Sequence, residues 1–422
     1  MTPLRFCMIT TFYPPHSFGG DGFSVQQLAR ALVTRGHEVS VIADSDAYHA
    51  LADHPSLEGP ELEAADGVVV HRLRSRAGRL SLLLTQQTGH PVVHGRRIAE
   101  LVEKGHFDVI NFHNISLVGG PGILAVGRAI KLYTAHEHWL VCPTHVLWRH
   151  RREPCPSREC FRCQLHYHRP PQLWRLGGML ERELSHVDRF IALSEFSREK
   201  HREFGFPREM AVIPGFLEEA PFDDGAASSS PHPRPYFLYV GRLERLKGLD
   251  DVIPAFAQYG QADLLVVGEG THREALERLA GDSTAIRFVG HIPREQLAPY
   301  YRHAIALIVP SEGYETFGLV AIEAFRRGTP IVARRRGPFP ELIALSQAGV
   351  LFDDAADLTV ALGALQREPA YRDRLARAAS AAFLAHWSEQ AVVDRYLELV
   401  EEIARARGID RVTHALERQL AS

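Results

Sequence analysis

Short apolar runs of three to six residues alternate along this chain with longer stretches whose apolar positions recur every three to four residues. The runs Phe6–Thr10, Val39–Ala43, Val68–Leu73, Val109–Phe112, Lys131–Thr134, Arg189–Leu193 and Ala211–Pro214 predict strands. Nearly continuous apolarity over such lengths suits strands buried on both faces. Between them, Ser24–Arg35, Val93–Glu103 and Ser194–Phe204 carry helical spacing. The alternation predicts a parallel sheet covered on both faces. From 220 to 235 the periodicity stops in a stretch rich in Pro, Ser, Gly and Ala, which predicts a linker. The alternation then resumes at Tyr236–Val240 and continues through Asp263–Val267, Ala285–Val289, Ala304–Val309, Pro330–Ala333 and Val350–Phe352. A long amphipathic helix over Ser388–Arg407 follows. The expected organisation is an α/β domain over 1–219, the linker, a second α/β domain over 236–385, and a terminal helical segment over 386–422.

Composition narrows the class. At 422 residues the chain has room for two or three domains. Its 45% hydrophobic and 23% charged residues form an ordinary globular profile. A formal net charge of −3, with no interleaving of basic and aromatic residues outside one segment, argues against a nucleic-acid partner. No run of 18 apolar residues marks a membrane span, and Met1–Arg5 shows no signal-peptide pattern, so a cytoplasmic protein is expected. In that compartment the five cysteines are expected to be reduced or metal-bound.

The most informative chemistry lies at 311–341. An apolar strand ends at Pro310, a polar loop follows, and a helix opens near Gly318, with Glu315 before its start and Glu323 more than a turn inside it. A helix start offers unpaired N–H groups and positive dipole character, a site for phosphate. A carboxylate on each side suggests a ligand in which sugar hydroxyls flank a phosphate. Earlier, strand Tyr236–Val240 runs into Gly241-Arg242-Leu243-Glu244-Arg245-Leu246-Lys247-Gly248. Arg242 there offers a planar fork of donors and Lys247 a mobile point charge.

Together these segments resemble family 4 of the retaining glycosyltransferases with the GT-B fold, which has a Glu-x7-Glu signature and a Gly-Arg-x4-Lys-Gly loop. The resemblance implies two facing Rossmann-like domains and transfer of a sugar from a nucleotide-sugar donor to a saccharide, lipid-linked or small-molecule acceptor. It implies that Glu315 holds the transferred sugar and Glu323 the ribose. The amides around Phe317, Gly318, Leu319 and Val320 hold the diphosphate, and Arg242 and Lys247 stabilise the leaving phosphate. Gly268-Glu269-Gly270 and Gly290-His291 resemble the family's donor loops, so Gly268 and His291 join the donor set. Where the family shows a Gly-Gly pair before Pro-Glu, this chain has Arg334-Arg335-Arg336-Gly337 before Pro340-Glu341, read as a solvated loop.

In the first half, Gly19 and Gly20 occupy the family's glycine pair near the donor, ahead of a helix expected near Ser24. Thr134-Ala135-His136-Glu137-His138-Trp139 resembles Thr-x-His-Asp-x-Trp, which puts His136 near the transferred sugar. Retaining chemistry of this kind requires no protein nucleophile and no metal. Asp44-Ser45-Asp46 mimics the Asp-x-Asp metal motif of another glycosyltransferase fold and is read as a loop. The terminal helix takes the position of the family's crossover helix; a helix closing the second domain is the other reading. A nucleotide-sugar epimerase of the same fold and a zinc-bearing binding module are the alternatives.

Two further features stand apart. Cys142, Cys155, Cys160 and Cys163 fall as C-x12-C-x4-C-x2-C within an insertion over about 140–170. That spacing suits a tetrahedral zinc site; an iron–sulfur cluster and unligated thiols are the alternatives. Residues 71–97 combine Arg72, Arg74, Arg76, Arg79, Arg96 and Arg97 with Leu80, Leu82, Leu83 and Leu84. They read either as a solvated face over a buried leucine patch or as a peripheral contact with anionic membrane.

Overall fold

The computed structural model describes residues 2–52, 60–219 and 229–420, so the first part of the expected linker lies outside the described residues. The chain forms two compact units. The first comprises Met1–His145, Glu159–Gly215 and Val392–Ser422; the second comprises Val146–Arg158 and Phe216–Ala391. Strands up to the linker are β1 Arg5–Thr10, β2 Glu38–Asp44, β3 Leu62–Ala65, β4 Val68–Leu73, β5 Val109–Phe112, β6 Ile130–Ala135, β7 Trp148–Arg149, β8 Glu153–Pro154, β9 Arg189–Ala192 and β10 Met210–Val212. After it come β11 Tyr236–Val240, β12 Asp263–Val267, β13 Ile286–Gly290, β14 Leu307–Val309, β15 Ile331–Arg334 and β16 Gly349–Phe352.

The first unit is built on an eight-stranded sheet in the order β10-β9-β6-β5-β1-β2-β4-β3. All its pairings are parallel except β3 with β4. That exception is a hairpin turned by Asp66 and Gly67, both at positive φ, a turn chemistry that Asp-Gly supplies. The second unit holds a parallel six-stranded sheet in the order β13-β12-β11-β14-β15-β16. The crossing in strand order beside β1 and beside β11 places ligand sites of such sheets beyond the carboxyl ends of those strands.

Each unit has its own core. The strands β1, β5 and β6 meet Ile98, Val102, Trp139 and Leu184 in the first; β11, β12 and β14 meet Val252, Phe256, Leu276 and Leu362 in the second. Burying one such Leu or Phe stabilises the fold by roughly 1.5–3 kcal/mol before entropy is charged against it. The helix Gly20–Thr34 buries Val25, Leu28, Ala29 and Leu32, the i, i+3, i+4, i+7 stripe that the periodicity predicted. It starts before Ser24 because Asp21 sits in its first turn, where the helix dipole favours a carboxylate.

The chain's last segment packs on the first unit. Helix Glu389–Ala406 buries Val393, Leu397, Val400 and Ile403. Tyr396 Oη lies 3.3 Å from Asn111 Nδ2, and Arg407 pairs with Asp188 at 2.9 Å. Of the two readings of this helix, the crossover is therefore the one found. A further helix, Asp410–Leu420, follows it. Among the described residues no helix is long and apolar enough to cross a membrane.

Candidate active site

In the second unit, four strand ends are stitched into one floor by their backbones. Gly241 N–H donates to Val267 O at 3.1 Å, Leu243 N–H to Glu269 O at 2.8 Å, and Gly268 N–H to Gly290 O at 2.8 Å. The carbonyl of Leu246 accepts from both Glu312 and Gly313 at 2.9 Å. Glycine is required at the crossings: a Cβ on Gly268 would stand 1.9 Å from Gly241 O, and one on Gly248 2.1 Å from Pro310 O. The loop carrying Arg242 and Lys247 is thus locked against the loop carrying Glu315.

Lys247 and Glu315 meet on that floor. Lys247 Nζ lies 2.5 Å from Glu315 Oε1, and Ser311 Oγ donates to the same oxygen at 2.9 Å. Burial alone would raise the Glu315 carboxyl, but the Lys247 charge, its hydrogen bond, Ser311 and Arg242 outweigh it and hold the group below its ordinary value. Glu315 is therefore an anion at neutral pH. Arg242 is mostly exposed and pairs with Glu244 at 2.9 Å. Behind it, Tyr239 Oη donates to Arg242 O at 2.9 Å.

Gly318, at φ +93°, caps the helix Leu319–Arg326, and Phe317 is buried. At the start of this helix Ala321 N donates to Gly318 O at 2.9 Å, while the N–H groups of Leu319 and Val320 precede the first i−4 acceptor of the helix. Inside it, Glu323 is gripped from two sides: Arg294 pairs with one oxygen, and Tyr301 Oη donates to the other at 2.6 Å. Burial, then the Glu323 charge and this bond, push the Tyr301 hydroxyl well above its ordinary value, so it stays a donor. His291 follows β13 at the exposed end tied to the Gly268 loop.

The three arginines depart from the solvated-loop expectation. Arg334 donates to Pro310 O at 3.0 Å and pairs with Asp251 at 2.7 Å, and Arg336 donates to Glu312 O at 3.2 Å. Two of them brace the Glu315 loop; Arg335 alone reaches outward, to Asp353. Gly337, at φ +65°, sits against Glu315 N, 3.6 Å from where its Cβ would be. Its positive φ, rather than lack of room, is what favours glycine there.

In the first unit, the ends of β1, β5 and β6 gather a second polar group. Asp21 Oδ2 accepts from Asn114 Nδ2 at 3.1 Å, which fixes the turn containing Gly19 and Gly20 against the end of β5. His113 Nδ1 lies 2.9 Å from His136 Nε2. Burial lowers both imidazoles; in His136 the charges of Asp21 and Glu137 oppose the shift, and in His113 the neighbouring His136 reinforces it. A neutral pair sharing one proton is the stable state. His113, Asn114, Ser311, Arg294 and Tyr301 were not singled out from sequence. The signal for the first two was their place immediately after the apolar run Val109–Phe112. Arg294 and Tyr301 lie 29 and 22 residues from Glu323, and Ser311, although inside the 311–341 stretch, is not one of the residues that carry the family signature.

Asp44 and Asp46 are not a loop. Asp44 ends β2 and caps the helix Ser45–Leu51, accepting from Ala47 N at 3.1 Å. Asp46 accepts from Ser75 Oγ at 2.5 Å and lies 3.0 Å from His94 Nε2. These buried groups bind helices to the sheet, and burial pushes Asp44 up to about 8. Of the cysteines, Cys142 is buried with its sulfur 3.3 Å from Thr144 Oγ1, and Cys155 Sγ donates to Ser157 O at 3.2 Å. Cys160 and Cys163 lie on the helix Cys160–His166, and none of the four is in a disulfide.

Comparison with known proteins decides the family. Residues 18–219 match the model of Glycosyltransferase Family 4, and residues 223–381 that of Glycosyl transferases group 1. A D-inositol 3-phosphate glycosyltransferase from Nocardiopsis dassonvillei is 30% identical over 93% of this chain and 91% of its own length. The chain belongs to the family 4 glycosyltransferases. Its fold is that of a sucrose-phosphate synthase from Thermosynechococcus elongatus, which superposes with a TM-score of 0.73 at 22% identity, covering 96% of this chain and all of that one. A structure of Anabaena HepE in complex with UDP superposes with a TM-score of 0.63 at 17% identity, covering 94% of this chain and 100% of that one. In this glycosyltransferase the two α/β units are therefore the halves of a GT-B fold.

Proposed function

We propose that this glycosyltransferase moves a sugar from a nucleotide-sugar to a saccharide, lipid-linked or small-molecule acceptor with retention of anomeric configuration, the second unit holding the donor and the first the acceptor. The observation that carries the reading is Glu315, kept ionised between Lys247 and Ser311 beside the start of the helix Leu319–Arg326. As the glycosidic bond breaks, negative charge grows on the leaving phosphate. Arg242, Lys247 and the helix-start amides of Leu319 and Val320 meet that charge where it develops. Glu315 takes a hydroxyl of the transferred sugar, and Glu323, aimed by Arg294 and Tyr301, takes the ribose. Gly19 and Gly20 allow backbone to approach the donor closely, with His136 at the sugar. Neutral His136 orients through its hydrogen bonds and adds no charge of its own. The acceptor's proton goes to the leaving phosphate oxygen, so the step needs no protein base.

The deciding experiment incubates the protein with UDP-, GDP-, ADP- and dTDP-sugars and candidate acceptors and measures released nucleoside diphosphate and product anomer. Release from one donor, lost in Lys247→Ala and Glu315→Ala, supports the assignment. Inversion of the anomer refutes retention, and isomerised donor without transfer selects the epimerase.

A structural zinc on Cys142, Cys155, Cys160 and Cys163 stays a proposal from their spacing alone: among the described residues no three of these sulfurs lie within ligand reach of one another. The spacing, ending in Cys160-x-x-Cys163, suits a closed tetrahedral site, which leaves no open position for catalysis. One zinc per purified chain, lost in Cys160→Ser/Cys163→Ser, is the expected metal analysis; iron would indicate a cluster, and no metal unligated thiols.

A further inference from the structure

The first unit carries an apolar surface that its own fold does not use. Three short helices each expose a pair of apolar side chains one turn apart: Leu80 and Leu83 on Arg79–Thr88, Phe161 and Leu165 on Cys160–His166, and Leu173 and Leu176 on Leu173–Leu176. Leu176 is 83% exposed and Leu173 61%. An i, i+3 or i, i+4 pair lies on one face of a helix, so each helix offers an apolar ridge. The three are tied together by polar contacts. Gln86 Nε2 donates to Pro170 O and Trp174 Nε1 to Gln86 O, both at 2.9 Å, and Gln172 N donates to Gln164 Oε1 at 3.1 Å. Arg175, stacked on Trp139 and Trp174, pins the third helix down from beneath.

Charge selects what this surface meets. No Asp or Glu occurs between Asp66 and Glu100 or between Glu159 and Glu181. Arg76, Arg79, Arg162 and Arg169 are exposed within those two segments. Protein interfaces normally carry both signs around their rim, whereas apolar ridges on segments whose charges are arginines, with acidic residues only at the segment ends (Glu159 and Glu181), fit the boundary of an anionic bilayer. Leu82, by contrast, is buried, so the segment's leucines divide between core and surface.

We propose that the ridges of Arg79–Thr88, Cys160–His166 and Leu173–Leu176 form a docking surface for anionic membrane, with the leucines entering the headgroup boundary and the arginines reading its charge. This rests on the lipid-linked option within the proposed function and places the first unit's site next to an acceptor anchored in the same bilayer.

The test is flotation of the full chain with vesicles of phosphatidylcholine alone and of phosphatidylcholine mixed with phosphatidylglycerol. Nucleotide binding in solution is followed in parallel. Expected is recovery with the mixed vesicles only, weakened by salt. Leu173→Ser/Leu176→Ser should abolish it, and Arg76→Glu and Arg79→Glu should each weaken it at least roughly fivefold. Nucleotide binding should be unchanged in all variants, which separates failure of the dock from failure of the donor site. Absence of flotation, equal recovery with neutral vesicles, or unaltered recovery of the leucine variant would overturn the proposal. So would loss of a self-associated species in the leucine variant without any lipid binding, which would make the face a protein contact instead.

Discussion

Replacing Lys247 by Met tests the electrostatics of the donor site without reference to any substrate. Lys247 and Glu315 are each about a fifth exposed, so their contact is screened far less than a surface pair. Met keeps much of the side-chain volume and removes the charge. Glu315 would then be a buried carboxylate with Ser311 and the more distant Arg242 as its remaining support. Breaking a buried pair by removing one partner costs about 3–5 kcal/mol, and the partial exposure here argues for a smaller cost of about 1.5 to 3 kcal/mol. For a unit of this size each kcal/mol moves the melting temperature by roughly 2–4 °C, so Lys247→Met should melt about 3–12 °C lower at neutral pH.

The pH dependence is the sharper part. In the native protein Glu315 lies below its ordinary value of 4.5, so its contribution is full above that value and fades as pH falls through the folded one. In Lys247→Met, burial is opposed less and the group titrates higher. The two proteins therefore differ most near neutrality and converge as pH falls and the carboxyl protonates in each. Glu315→Gln in the Lys247→Met background should recover part of the loss at neutral pH, because the uncompensated charge is gone. Calorimetry of the four proteins at pH 7 and pH 4 measures this. An unchanged melting temperature at pH 7, or a deficit that grows in acid, would refute the reasoning.

Other outcomes follow from the same geometry. Gly248→Ala places a methyl 2.1 Å from Pro310 O at φ +72° and should cost at least about 2 kcal/mol in thermal stability while abolishing donor turnover. Tyr301→Phe removes one of the two groups holding Glu323 and should weaken binding of the active nucleoside diphosphate about tenfold by calorimetric titration, leaving the melting temperature within a few degrees. Burial depresses His37 and His201 to about 4, His201 retaining its bond to Ser197 O. Between pH 6.5 and 4 the unfolded chain thus binds more protons than the folded one, and stability should fall across that window by on the order of 3 kcal/mol for each histidine. His201→Gln should flatten part of that fall.

The sheets were legible because both faces are covered. Strands such as β5 and β11 must then be nearly continuous in apolar residues, a pattern that survives in sequence without knowledge of the neighbours. Elements whose burial is partial were harder to read. β3, with one glutamate and two alanines in four residues, has no apolar run, and its hairpin went unread although Asp66-Gly67 is a turn signal. Helix Pro369–His386 is mostly alanine and arginine and buries just Leu375, Ala379, Ala382 and Phe383, too little contrast for periodicity to mark it. The Ser388–Arg407 helix was visible for the opposite reason: it buries a full stripe.

The candidate site divides along a similar line. Motifs name residues that face a ligand: Arg242 and Lys247 share one loop, and Glu315 and Glu323 flank one helix start. The groups that set their charge and aim do not. Tyr301 reaches Glu323 from 22 residues away and Arg294 from 29. Arg334 and Arg336 brace the Glu315 loop across 24 residues each, and looked like surface charges beforehand. Such partners are chosen by the register of β14 and β15, which pair Leu307 with Ile331 and so bring the two loop starts side by side. A shift of one residue there would turn these side chains to the other face and leave Glu315 without its support, although every motif residue would still be present. Ionisation of Glu315 is thus a property of the sheet as much as of the motif, which is why stability and donor turnover should fail together when the loop is disturbed at Gly248 and separately when only Tyr301 is changed.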